Sequence, residues 1–156
     1  MPFTAESAGG RVTGMLKTGG IMSMIEWCEE FSVNVEEIDN QHKFLLKLLN
    51  DLNTAIESEH DRHYLAKTLH ELIAYTRIHF GTEEKYFEKF DYPDKEDHIE
   101  KHNYFIAKLT EFQSEFEKGT VGLSYEVLAF LTEWLFGHIS VVDKRYSEFF
   151  NENGLR

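Results

Sequence analysis

Cysteine is nearly absent from this chain of 156 residues: Cys28 stands alone, so no internal disulfide can staple the fold. A single thiol beside Trp27 reads as partly buried packing rather than as a nucleophile. Proline is as scarce, and after position 2 only Pro93 occurs, so little in the chain would break long helices. No run of about 18 apolar residues exists to span a membrane. Residues 1–23 also lack the apolar core of a signal peptide. Basic residues are outnumbered, 16 against 28 acidic ones, for a formal net charge of -12. Such a surface repels phosphate backbones and anionic lipid, which excludes nucleic acid and membrane as natural partners. These absences predict a cytoplasmic protein.

What is present falls into two parts. Residues 1–23 carry five glycines, small polar side chains and no helical stripe, and read as a flexible tail or linker. Residues 24–156 read as one helical domain, and the 42% hydrophobic content suffices for a core without a staple. Four stripes in this part alternate steps of three and four residues. The first is Ile38, His42, Leu45, Leu49, Leu52 and Ile56, with Asn34 as its cap and Glu37 completing a capping box. The second is Leu65, Leu69, Leu72, Thr76, His79 and Glu83, continuing to Phe90 and starting near Asp61. The third is His98, His102, Phe105, Leu109, Phe112 and Phe116, opened by Pro93-Asp94 and closed by Gly119. The fourth is Leu128, Leu131, Leu135, His138 and Val142, capped by Ser124 and ended by Asn153-Gly154. No segment alternates with period two between hairpin turns, so the prediction is all-α: an antiparallel up-down-up-down four-helix bundle.

The stripes are not purely apolar. His42, His79, Glu83, His98, His102 and His138 all occupy core-facing positions. Burying one such group without a partner costs about 1–3 kcal/mol, and more for a charge, so six must be compensated together. His79 and Glu83 are four residues apart, as are His98 and His102, so each pair shares one helix face. Depth is the sharper test. In an up-down-up-down bundle His42, His79, His102 and His138 stand roughly 17–19 residues from the turns at the far end, and with Glu83 and His98 beside them all six groups converge on one level. His60, His63 and His70 miss the stripes and read as surface residues.

Five imidazoles and a carboxylate exceed the needs of one ion. Structural zinc takes four ligands, and calcium and magnesium prefer oxygen. Imidazole with a few carboxylates suits iron, and two ions sharing a carboxylate would use every group. Asp143, five residues after His138, could supply a second bridge. On a regular helix it would point off the stripe, so it joins only if a π turn widens the helix between His138 and Asp143. The competing reading is a surface carboxylate paired with Lys144 or Arg145.

Several segments resemble the hemerythrin family, and its bacterial branch most closely. They are Ile38-Asp39-Asn40-Gln41-His42, His79-Phe80-Gly81-Thr82-Glu83-Glu84, the spacing of His98 and His102, and Trp134-Leu135-Phe136-Gly137-His138-Ile139 followed by Asp143. The lead-in Trp27 to Val35 is similar too, so the likeness runs from about Glu26 to Phe150. The resemblance implies two iron ions, one held by His98, His102 and His138 and the other by His42 and His79. Glu83 and Asp143 would bridge them together with an oxo or hydroxo group. The two-histidine iron would keep one open position for O2.

Trp134 and Leu135 match family positions near the O2 site, and Phe80, Phe105 and Ile106 could line it; all five are equally ordinary core residues. Tyr146 is either an outer hydrogen-bond donor or packing. The implied function is reversible O2 binding for carriage, storage or delivery, without catalysis. The alternatives are an oxygen- or redox-sensing module that signals to a protein partner, or an enzyme reducing NO or peroxide. No acid-base pair beyond the ligands speaks for the enzyme.

Overall fold

Glu36–Glu57 forms the first helix, α1, and its buried residues repeat every three or four positions from Ile38 to Leu52. The structure, a computed structural model, describes residues 24–120, 122 and 125–156. The tail predicted over residues 1–23 and the cap predicted at Ser124 lie outside the described residues. Three further helical segments follow: α2 (Arg62–Phe90), α3 (Lys95–Lys118), and a fourth rod. That rod consists of α4 (Tyr125–Gly137), a π turn (His138–Val142) and α5 (Lys144–Glu152). No strand occurs among the described residues.

Most predicted stops and starts hold for the expected reasons. Asp61 caps α2, its carboxylate accepting from the Tyr64 amide at 3.0 Å. Gly119 ends α3 at φ 76°, a left-handed conformation that glycine adopts without strain. Asp94 stands at the start of α3, but its side chain caps nothing. The capping box at Asn34 and Glu37 does not form. α1 starts one residue later from Val35, and Asn34 turns left-handed at φ 56°. Asp39 serves that end instead, reaching back to accept from the Val33 amide at 2.8 Å and from the Ser32 hydroxyl. Cys28, expected to pack, is exposed.

Neighbouring helices run antiparallel, as contacts at both ends show. Glu84, late in α2, meets His102, early in α3, while Arg62 at the start of α2 lies 4.4 Å from the Phe116 ring at the end of α3. Phe105 stacks on Trp134 at 3.9 Å, and farther from the polar level Phe112 meets Phe130 at 5.5 Å. Two apolar clusters result. The larger holds Leu45, Leu49, Leu52, Leu69, Leu72, Leu109, Leu128 and Leu131, and the smaller holds Val33, Val35, Ile38, Phe87, Tyr92, Tyr146 and Phe150. The polar stripe residues lie at the junction of the two, touching Phe80 of the larger and Phe87 of the smaller. No helix of the described residues is long and apolar enough to cross a membrane.

Replacing Asp61 by Ala removes the only side-chain cap on α2 without touching either cluster. It is expected to lower unfolding stability by about 1 kcal/mol in urea denaturation, with an unchanged slope. An unchanged midpoint would show that the cap contributes nothing.

Candidate metal centre

The seven polar residues singled out in the sequence meet at one point. His42, His79, Glu83 and Asp143 are 0% exposed, and His98, His102 and His138 no more than 4%. α1 supplies His42, α2 supplies His79 and Glu83, and α3 supplies His98 and His102. The fourth rod supplies His138 and Asp143. Asp143 faces the core because His138–Val142 is a π turn, in which the Asp143 amide donates to the His138 carbonyl at 2.9 Å. Val142, where the regular stripe would have continued, is only half-buried. His60, His63 and His70 are exposed, as expected.

The two carboxylates divide their oxygens. Oε1 of Glu83 faces His79 Nε2 at 3.4 Å and His42 Nε2 at 4.0 Å, and Oε2 faces His102 Nε2 at 3.0 Å and His98 Nε2 at 3.7 Å. Oδ2 of Asp143 lies 3.1 Å from His42 Nε2, while Oδ1 lies 3.1 Å from His98 Nε2 and 3.0 Å from His138 Nε2. Two donor sets share these carboxylates: one adds His98, His102 and His138, the other His42 and His79. Ligands at right angles around an ion with bonds of about 2.1 Å stand about 3 Å apart, close to the shortest of these spacings.

Protein-only hydrogen bonding does not account for the cluster. His42 Nε2, His79 Nε2, Glu83 Oε2 and both Asp143 oxygens have no hydrogen-bond partner among the described residues, although all are buried. Their neighbours are near enough but wrongly directed. His138 Nε2 lies 3.1 Å from both His98 Nε2 and His102 Nε2, and one proton there cannot serve both contacts. Orphaned donor atoms facing a common centre are what a metal would satisfy. These residues therefore fit a pair of ions, and the donor chemistry favours imidazole-loving transition metals over calcium or magnesium.

Residues beyond the seven aim the rings. His79 Nδ1 donates to Gln41 Oε1 at 2.9 Å, which leaves Nε2 with its lone pair toward the centre. The Gln41 amide is oriented in turn by Nε2 donating to Thr82 Oγ1 at 3.0 Å, and the Thr82 hydroxyl donates to the Ile78 carbonyl. On the other side His102 Nδ1 donates to Glu84 Oε1 at 2.9 Å. Tyr146 donates its hydroxyl to Glu83 Oε1, so this residue does more than pack. Phe80 stacks on His102 at 3.7 Å, and Trp134 on His138 at 4.5 Å with Phe105 behind it. Leu135 is buried one turn before His138, and Ile106 is half-buried against the larger cluster. Sequence reasoning gave Gln41, Thr82 and Glu84 no role. Their only signal was adjacency to His42 and Glu83, because the partners they serve lie on other turns and other helices.

Without metal the cluster must balance its own charge. Burial pushes Glu83 and Asp143 upward, but the surrounding imidazoles more than reverse this and hold both carboxyls well below the usual range. Burial opposes charge on His98, yet Asp143 and Glu83 raise it to about 9; His102 is raised likewise against burial, by Glu83 and Glu84. Burial keeps His79 neutral, at about 4, and lowers His138 as well. His98 thus carries a proton that answers the two carboxylates. The stabilisation from charged His98 is complete below its unfolded value near 6.5 and is lost as pH rises through about 9. A metal ion must displace that proton. Loading the metal-free protein with divalent metal near pH 7 is therefore expected to release protons, read with an indicator dye in weak buffer. The apparent affinity should rise between about pH 6 and about pH 9. Metal uptake without proton release would contradict this charge balance.

Comparison with known proteins agrees with the geometry. Residues 33–149 match the family described as Hemerythrin HHE cation binding domain. The chain is 30% identical over 127 residues to the bacteriohemerythrin of Stenotrophomonas maltophilia strain R551-3, covering 81% of this chain and 82% of that protein. It is 31% identical over 126 residues to the bacteriohemerythrin of Methylococcus capsulatus, covering 80% of this chain and 95% of the relative. A crystal structure of wild-type hemerythrin superposes with a TM-score of 0.76 at 31% identity, covering 81% of this chain and 97% of that one. With its four-helix architecture and buried His/Glu/Asp centre, the chain belongs to the hemerythrin family.

Proposed function

We propose that this chain is a non-haem di-iron protein that binds O2 reversibly, for carriage, storage or delivery, and is not an enzyme. The observation that supports it best is the division of the carboxylate oxygens. Glu83 and Asp143 each offer one oxygen to His98, His102 or His138 and the other to His42 or His79. One set has five donors and the other four. With a single oxo or hydroxo bridge between the ions, the five-donor side would be full and the four-donor side would keep one place for a small ligand. The iron pair would supply the electrons that O2 borrows and returns.

The protein's own part is to hold, shield and restrain. Gln41 and Glu84 lock the tautomers of His79 and His102, so their Nε2 lone pairs face inward before any ion arrives. Tyr146 ties down the Glu83 oxygen on the two-histidine side. Phe80, Phe105, Leu135, Trp134 and Ile106 give the centre an apolar cover, which would exclude water and the proton donors that would turn a bound oxygen species into product. Among the described residues, no acid or base beyond the seven and Tyr146 stands free at the centre, which is in keeping with the carrier reading.

Anaerobic Fe(II) loading is expected to give a nearly colourless protein that gains a visible absorption band in air and loses it under inert gas. A colour that never bleaches overturns the carrier reading and favours an oxidase or a redox sensor. His79→Ala or Glu83→Ala should abolish the band, whereas His70→Ala, at an exposed position, should leave it intact.

A further inference from the structure

The residues that follow the metal centre bind the residues that precede it. Lys144, Ser147 and Asn151 share one face of α5, at spacings of three and four. Each donates to one of three consecutive carbonyls in the lead-in segment before α1. Lys144 Nζ reaches Ser32 O, Ser147 Oγ reaches Val33 O at 2.6 Å, and Asn151 Nδ2 reaches Asn34 O at 2.9 Å. The segment is held from α1 as well, because Asp39 accepts from the Val33 amide and the Ser32 hydroxyl. Val33 and Val35 are fully buried against the cluster that contains Tyr146 and Phe150. A stretch of four residues thus joins the helix that carries His42 to the helix that follows Asp143.

This clasp is specific for one register of α5. The π turn adds one residue to the helix between His138 and Asp143. Were the helix to run regularly through it, everything from Asp143 onward would rotate by about 100°. Val142 and Phe149 would then swing toward the core, while Asp143, Tyr146 and Phe150 left it. The regular register would bury Val142 and Phe149 and avoid burying a carboxylate, although it would carry Arg145 to the place of Tyr146; the stripe spacing from His138 points to that register, which would dismantle the centre. The clasp favours the other, since after such a rotation Lys144, Ser147 and Asn151 would miss the segment's carbonyls together.

We propose that the extended Ser32–Asn34 segment is the template that holds the π turn open, and that Lys144, Ser147, Asn151 and Asp39 are positioning residues that place Asp143 and Tyr146 at the metal centre before metal binds. The inference deepens the di-metal reading of that centre. None of these four residues is among the seven ligands, and each acts through backbone or through another side chain.

Its test begins on the metal-free protein, so it does not depend on oxygen binding. Hydrogen exchange is followed at the Asp143 amide, which must break its bond to His138 O each time the π register opens, and at the Leu72 amide within α2. In Ser147→Ala/Asn151→Ala, protection at Asp143 is expected to fall at least about tenfold relative to Leu72. Ser147→Thr alone, which keeps the hydroxyl, should retain it. Leu69→Ala, a cavity in the other cluster, should lower both amides together. If the double variant also lowers both together, or neither, the template role is wrong. Anaerobic titration with Co(II) gives the second readout. The second equivalent should bind about 10–100-fold more weakly to the double variant, with a changed visible spectrum, than to Leu69→Ala matched for stability. Equal affinity and an unchanged spectrum would overturn the inference. A wild-type protein that passes both tests yet never takes up O2 reversibly would refute the carrier reading and leave the template standing.

Discussion

Seven ionisable side chains buried at one level of a helical bundle are the constraint on which the rest of this molecule depends. Isolated burial of a carboxylate costs several kcal/mol, and in this geometry the two carboxylates do not satisfy all five imidazoles through hydrogen bonds. The chain meets part of that cost internally, by protonating His98 against Glu83 and Asp143. The remainder shows as orphaned atoms on His42, His79, Glu83 and Asp143. Apolar clusters on either side supply the stability that lets such a layer exist, and they also keep water from it.

The layer is asymmetric in more than donor count. His102 leans on a carboxylate, Glu84, whereas His79 leans on the neutral amide of Gln41. A charged acceptor raises the basicity of its imidazole more than an amide does. The three-histidine side is therefore the more strongly donating, and it is also the side on which aromatic rings stack face to face, Phe80 on His102 and Trp134 on His138. The two-histidine side is held more lightly, by a glutamine that is itself fixed by Thr82. Such a division suits one ion that stays coordinated and one that exchanges a ligand.

The fourth rod shows how function can oppose local preference. A π turn has poorer geometry than the α-helix around it, and here it brings a carboxylate into the core. No local energy term favours that outcome. It persists because partners distant in the chain, Glu83 for Tyr146 and the Ser32–Asn34 carbonyls for α5, fit only the widened register.

Much of this was legible in the amino acids alone. Apolar spacing marked all four rods, because an α-helix brings residues three and four apart onto one face whatever surrounds it. Histidines and a glutamate on those faces, at matching depths, marked the layer. Asp143 required an extra assumption, a widened turn, since periodicity by itself pointed to Val142. The tertiary structure decided the rest. It started α1 at Glu36 rather than at an Asn34 cap, because the Asn34 carbonyl is taken by Asn151 from the far end of the chain. It assigned Gln41 to His79 and Glu84 to His102 across 38 and 18 residues. Helical periodicity is a property of neighbours and survives in sequence; which nitrogen meets which oxygen between rods is fixed only when the bundle closes.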